Sequence, residues 1–224
     1  MKVFKSSVVA LLLLAGACST HHEAGPVDPA NYQHKVRVAC VGDSITAGVG
    51  AAHGFAYPSQ LQAMLGEQWE VKNFGVSGRT LLKDGDFPYW REKAFQAAQD
   101  YNPDVVLIML GTNDTKPQNW ILIDAFQDDY KELIGTFTAL PSRPRIYLCR
   151  PCPVRANGSW GINETNLQKE MPWIDAVAKS CHAGIIDMHA AVPADPELLP
   201  DKVHPSTEGA RLMAAAAFHK LTGY

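Results

Sequence analysis

Five short apolar runs recur along the chain, at 36–41, 69–74, 104–110, 145–150 and 184–189, most of them rich in Val, Ile or Leu. Short runs of this composition suit strands covered on both faces. Helical patterns lie between them. The clearest covers 124–140, where Phe126, Tyr130, Leu133, Phe137 and Leu140 recur at spacings of 4, 3, 4 and 3 and form one apolar stripe. Further helices are predicted at 57–65, 91–101, 164–179 and 206–221. Asn163 is placed to cap the third of these, and Pro172 is expected to kink or split it. Pro205 with Ser206 or Thr207 supplies a start signal for the last.

Strand alternating with helix calls for a parallel sheet joined by right-handed crossovers. Five strands in this order predict an α/β protein, a three-layer α/β/α sandwich of flavodoxin-like type with a five-stranded parallel sheet. The 224 residues suit one such domain, expected over 35–224. Residues 1–17 read as a bacterial export signal: Lys2 and Lys5, a short apolar stretch, then Ala15-Gly16-Ala17 before a cysteine. Cys18 is then the candidate lipidated first residue of an exported lipoprotein, periplasmic or on the outer membrane; a plain secreted protein is the alternative. Residues 18–34, with two prolines and no periodicity, are expected to be a flexible tether carrying His34. Membrane contact is expected through that anchor alone.

The net charge is −3 and no basic run is present, which argues against a nucleic-acid partner. Cys40 and Cys149 lie in apolar runs and read as buried thiols. Cys149-Arg150-Pro151-Cys152 has a C-x-x-C spacing, but with no second pair and no suitable histidines it makes no zinc site. Export permits a disulfide, for which Cys152 and Cys181 are the candidates.

In open parallel sheets, ligands sit beyond the carboxyl ends of the strands. The first strand is followed by Gly42-Asp43-Ser44, the second by Gly75-Val76-Ser77-Gly78, and the third by Gly111-Thr112-Asn113-Asp114. After the fifth, past a proline-rich loop, comes Asp201-Lys202-Val203-His204. Polar and glycine-rich residues therefore gather along one edge. A serine hydroxyl needs a base within reach, and His204 is the candidate. Asp201, three residues earlier, can reach round one turn to the same ring and hold its tautomer. The backbone N–H groups of Ser44 and Gly78 and the Asn113 amide are the candidate oxyanion donors. Plainer roles exist: Ser44 as a helix cap, Gly75 and Gly78 as turn glycines, Asn113 as an Asx-turn. Asp43, Thr112 and Asp114 read as structural. His53 reads as a solvated loop residue, and His189, ending the last run, as satisfying a core hydrogen bond.

Taken together, the four blocks resemble the SGNH (GDSL-type) hydrolases, whose signature residues are Ser, Gly, Asn and His. The likeness runs over about 36–221. It implies a serine esterase with Ser44, His204 and Asp201 as its triad and no metal or cofactor. The stretch 73–90 and the run from Gly111 to Trp120 are similar to a bacterial subgroup of sialate O-acetylesterases and carbohydrate acetylesterases. That likeness implies removal of acetyl groups from sugars. Aromatic rings beside amides suit sugar faces, so Trp90, Trp120 and Trp160, all in expected loops, are candidate substrate contacts. A lysophospholipase or a broad arylesterase or thioesterase is the enzymatic alternative. A catalytically silent glycan-binding lipoprotein is a second, disfavoured by the intact Ser44, Asn113 and His204. A nucleotide-binding module is a third, weakened by the lack of a phosphate-loop lysine or G-x-G-x-x-G.

Overall fold

The computed structural model describes residues 24–156 and 158–224. Five strands form one parallel sheet: β1 (Val36–Gly42), β2 (Trp69–Gly75), β3 (Val105–Met109), β4 (Arg145–Arg150) and β5 (Gly184–Asp187), in the order β2-β1-β3-β4-β5. Eight helices join them: α1 (Ser44–Ala47), α2 (Tyr57–Leu65), α3 (Lys93–Asp100), α4 (Pro117–Trp120), α5 (Phe126–Thr138), α6 (Glu164–Ser180), α7 (Met188–Ala191) and α8 (Thr207–Thr222).

Strand parity decides which helices cover which face. Val36, Val38 and Cys40 of β1, Val105, Leu107 and Met109 of β3, and Tyr147 and Cys149 of β4 point one way. They meet Ile45 of α1, Tyr57 and Leu61 of α2 and the Met213–Leu221 stripe of α8. Ala39, Val41, Val106, Ile108, Ile146 and Leu148 point the other way, onto Ala98 of α3, Phe126 to Phe137 of α5 and Ile174 and Val177 of α6. Each such aliphatic side chain, fully buried, contributes roughly 1.5–3 kcal/mol, so both layers are needed.

Four expectations need correction. The tether is not free over its second half. Val27 is buried in the core and donates its N–H to the Leu221 carbonyl at 2.7 Å. The Arg145 guanidinium and the Tyr147 hydroxyl donate to the Gly25 carbonyl, and Arg145 also to that of Pro26. His34 bonds the Asp104 carboxylate at 3.0 Å. Residues 1–23, with the export signal and Cys18, lie outside the described residues. Secondly, α6 runs unbroken through Pro172. Pro172 and Gln168, whose carbonyl the proline leaves without a partner, are both exposed, so water can take the lost bond. Thirdly, the last strand stops at Asp187, whose carboxylate accepts the Ala190 N–H and starts α7. His189 therefore sits on α7, bonded to Glu164 Oε1 at 2.8 Å, not at a strand end. Finally, Cys152 and Cys181 are both free thiols. Cys152 belongs to the α2/α8 side of the sheet and Cys181 to the α5/α6 side, so the sheet separates them.

Candidate active site

The register brings the reacting loops level. Gly42 pairs with Gly75 on one side and with Met109 on the other, so three neighbouring strands end together. Two glycines make room for the turn that follows β1. A methyl on Gly42 would come within 2.1 Å of Thr46 Oγ1, and one on Gly75 within 2.3 Å of the Ala47 nitrogen. α1 is thus pressed against the ends of β1 and β2, and Asn73 ties it there by donating to the Thr46 carbonyl at 2.7 Å.

Ser44 opens α1 but is not its cap. Asp43 caps it, accepting the Ile45 N–H at 2.9 Å, which leaves the Ser44 hydroxyl free for another partner. That partner is His204: Ser44 Oγ and His204 Nε2 are 2.8 Å apart. His204 Nδ1 lies 2.7 Å from Asp201 Oδ2, while Asp201 Oδ1 accepts the N–H groups of His204 and Val203 at 2.7 and 3.0 Å. Partial burial raises the Asp201 pKa, but those hydrogen bonds outweigh it and hold the carboxyl below the ordinary aspartate value. The acid is therefore ionised and faces Nδ1, the arrangement that leaves Nε2 able to accept the serine proton.

The turn carrying Asp201 is tight, with Lys202 at φ +80. It is stapled to the loop after β4: Arg155 donates its N–H to the Lys202 carbonyl at 2.8 Å, and the Ser159 hydroxyl donates to the Asp201 carbonyl at 2.8 Å. That loop also sets Trp160, whose ring centroid is 5.3 Å from that of His204 and which is 62% exposed.

Of the candidate oxyanion donors, the N–H groups of Ser44 and Gly78 have no acceptor among the described residues. Gly78 has φ +82, a conformation that a side chain strains, and it lines the cleft with Ser44 and His204. The Asn113 amide is placed at the same cleft, but both its protons are taken, by Asp43 Oδ2 at 3.2 Å and the Arg79 carbonyl at 3.1 Å. Asp43 thus links the serine turn to the asparagine turn. Burial pushes its carboxyl up to about 6, against the Ile45 N–H and the His204 ring, which pull it down. Asp114 supports the site from below, accepting the N–H groups of Leu81 and Leu82 at 3.0 and 2.8 Å.

Ser44, Val49, Ser77, Gly78, Asn113, Lys116, Trp160, Ile162 and His204 line a cleft of about 200 Å³. Trp160 is the one predicted tryptophan among them. Trp90 instead donates its indole N–H to the Leu81 carbonyl at 2.7 Å and packs on Phe95. Trp120 stacks on Trp173 with centroids 6.0 Å apart. Both rings pack against the protein, and neither lines the cleft that holds Ser44 and His204. Val49, Lys116 and Ile162 were missed; Lys116, three residues after Asn113, is the one whose position in a strand-end block could have signalled it.

Behind the Asn113 turn lies a cost to stability. Glu170 on α6 is fully buried and neither carboxyl oxygen has a hydrogen-bond partner among the described residues. A methyl on Gly111 would come within 2.9 Å of Glu170 Oε2. Burial, and then the Asp114 charge, pushes this carboxyl well above its ordinary range. Replacing Glu170 by Met should stabilise the fold by ~1–3 kcal/mol, since an unsatisfied buried polar group is removed at similar volume. A folded pKa above the unfolded one contributes stability at low pH that is lost as pH rises through the folded value. The gain in urea midpoint at about pH 8 should therefore equal or exceed that at about pH 5; a gain that shrinks with rising pH would contradict this.

Residues 40–212 match the GDSL-like Lipase/Acylhydrolase family. The chain belongs to that family. An acetylxylan esterase of Xylanibacter ruminicola is 41% identical over 207 residues, covering 83% of this chain and 43% of that protein. The chain thus spans less than half the length of that relative. Among solved structures, a carbohydrate acetylesterase from Sinorhizobium meliloti superposes with a TM-score of 0.69 at 22% identity, covering 83% of this chain and 98% of that one. The aryl esterase of M. smegmatis superposes with a TM-score of 0.64 at 22% identity, over 82% and 96%. These two likenesses establish the α/β/α fold of the GDSL-like family for this chain.

Proposed function

We propose that this protein is a serine ester hydrolase that removes acetyl groups from sugars outside the cytoplasm. The observation that carries the reading is the relay from Ser44 Oγ through His204 to Asp201, at 2.8 and 2.7 Å, opening on a cleft of only about 200 Å³. His204 Nε2 takes the hydroxyl proton as Ser44 Oγ attacks the acetyl carbonyl. The oxyanion is met by the N–H groups of Ser44 and Gly78. The Asn113 amide joins them by giving up one of its two internal acceptors. His204 then passes the proton to the departing sugar oxygen, leaving acetyl-Ser44. Water, deprotonated by the same ring, releases acetate and restores the serine.

The small cleft suits a short acyl group, and the exposed Trp160 ring beside His204 offers a flat apolar face to a sugar. The acetylxylan esterase likeness favours a polysaccharide acceptor, while an acetylated sialic acid fits the same chemistry. An acyl-length series of 4-nitrophenyl esters, run beside acetylated xylan and O-acetylated sialic acid, tests the reading. Acetate should be the preferred acyl group and should be released from at least one sugar; preference for octanoate would refute it. Trp160→Ala should raise KM for the sugar acetate by roughly tenfold while changing kcat little, as loss of one stacked ring does.

The proposal also places a lipid on Cys18, after removal of residues 1–17. The mature protein should then enter the detergent phase on temperature-induced partition, and Cys18→Ser should send it to the aqueous phase. A wild-type protein found in the aqueous phase would argue for simple secretion.

A further inference from the structure

Lys116 supplies the one cationic side chain of the cleft lining, and the lining contains no carboxylate. Its backbone is fixed between the Asn113 turn and α4: its N–H donates to the Asn113 carbonyl, and its own carbonyl accepts the N–H groups of Asn119 and Trp120 at 3.0 and 2.8 Å. Its stem runs beside Gly161, since a methyl there would meet Lys116 Cγ at 3.9 Å, and Gly161 follows Trp160. The lysine therefore lies beside the loop that carries Trp160, and both residues line the cleft.

No carboxylate lies within ion-pairing distance of its ammonium among the described residues. The two acids that feel its charge, Asp43 and Asp86, are already supplied with donors. Asp43 accepts from Ile45 and Asn113, and Asp86 accepts from Gln118 and Asn119. A half-buried lysine with no ion-pair partner among the described residues, at a cleft whose described lining holds no carboxylate, is a local attraction for an anion in a protein of net charge −3.

We propose that Lys116 selects acetylated sugars bearing a carboxylate, of uronic or sialic type, by pairing with that carboxylate while the ring rests on Trp160 and the acetyl carbonyl meets Ser44. This rests on the sugar acetylesterase reading above. The pairing is made in the ground state and kept in the transition state, so it acts on KM rather than on kcat.

The test compares, for each of two acids, kcat/KM on the free acid and on its neutral methyl ester. The probes are an O-acetylated methyl glucuronoside and an O-acetylated sialic acid, with 4-nitrophenyl acetate as the reference for the wild-type enzyme. At low salt at least one acid should be preferred over its methyl ester by about tenfold, through KM, as a charge-assisted hydrogen bond allows. The preference should fade with added salt, fall to about one in Lys116→Met and survive in Lys116→Arg. The pair that shows it identifies the source of the carboxylate. Equal cleavage of acid and methyl ester in both pairs would overturn the role of Lys116 and leave the acetylesterase reading standing. A Lys116→Met variant that loses activity equally on acid and ester would overturn it too, since the lysine would then serve the turn or the chemistry. Cleavage of 4-nitrophenyl acetate with neither acid nor its methyl ester touched would overturn this inference; acetylated xylan left untouched as well would overturn the sugar reading with it.

Discussion

Replacing Ser44 by alanine is expected to lower kcat for acetyl ester hydrolysis by about 10⁵-fold, leaving the slow turnover that binding and oxyanion donors alone provide. The expectation follows from position. Ser44 is the first residue of α1, Asp43 rather than its hydroxyl caps that helix, and the hydroxyl pairs with His204 Nε2 at 2.8 Å. Removing the hydroxyl removes the attacking atom and leaves Asp43, which holds the turn, untouched. The variant should fold with an unchanged melting temperature and bind product as the wild type does. Survival of more than about one-hundredth of the activity would mean that another group attacks, and the steps proposed above would fail.

Asp201→Asn should cost about 10³- to 10⁴-fold in kcat. The carboxylate does two things at once. Oδ1 accepts the backbone N–H groups of Val203 and His204, which shapes the turn, and Oδ2 faces His204 Nδ1. An asparagine can keep the first role with its carbonyl oxygen. Its amide then donates towards Nδ1, which favours the tautomer with the proton on Nε2. In that tautomer the ring presents an N–H to Ser44 and cannot accept the serine proton. The effect should therefore appear in kcat with KM nearly unchanged, and the fold should survive. Asp201 carries its pKa below the ordinary aspartate value, so in the wild type it remains ionised on going down to mildly acidic pH, and the stabilisation it gives is lost only as pH falls through that depressed value. A kcat within about threefold of wild type would show that the base is oriented by something else.

Much of this site was legible before any coordinates. The ends of the first three strands could be located because their apolar runs stop at a glycine or just before one, and the register makes those stops coincide in space, whereas the fifth strand ends at Asp187, short of its run. Ser44, Gly78, Asn113 and His204 then had to meet along one edge, because a parallel sheet collects the loops that follow its strands. Other features depend on partners far along the chain. Trp120 and Trp160 both follow strands in stretches that read as polar loops, yet Trp120 ends α4 and stacks on Trp173 of α6 while Trp160 stays open beside His204. Nothing local to either ring distinguishes them. Val27 is a lone apolar residue among prolines and glycine; its burial is decided by the end of α8 and the edge of β4, not by any periodicity around it. The separation of Cys152 from Cys181 comes from the path of the chain past the end of β4, where strand parity no longer says which face a residue joins. Pro172 shows the reverse case, a strong local signal overridden because the lost hydrogen bond falls on a wetted face.

Covalent trapping tests the central claim most directly. The mature protein is treated with a dialkyl fluorophosphate or nitrophenyl phosphate ester, digested and mapped by mass spectrometry. A hydroxyl whose proton is drawn to His204 attacks the phosphorus, breaks its bond to fluoride or nitrophenolate, which departs, and keeps the dialkylphosphoryl group, because the tetrahedral adduct resists the water that would clear an acetyl. One adduct per chain on Ser44, formed in step with the loss of esterase activity and absent from Ser44→Ala, is the predicted result. Inactivation with the label on another residue, or full activity retained with Ser44 labelled, would contradict the account.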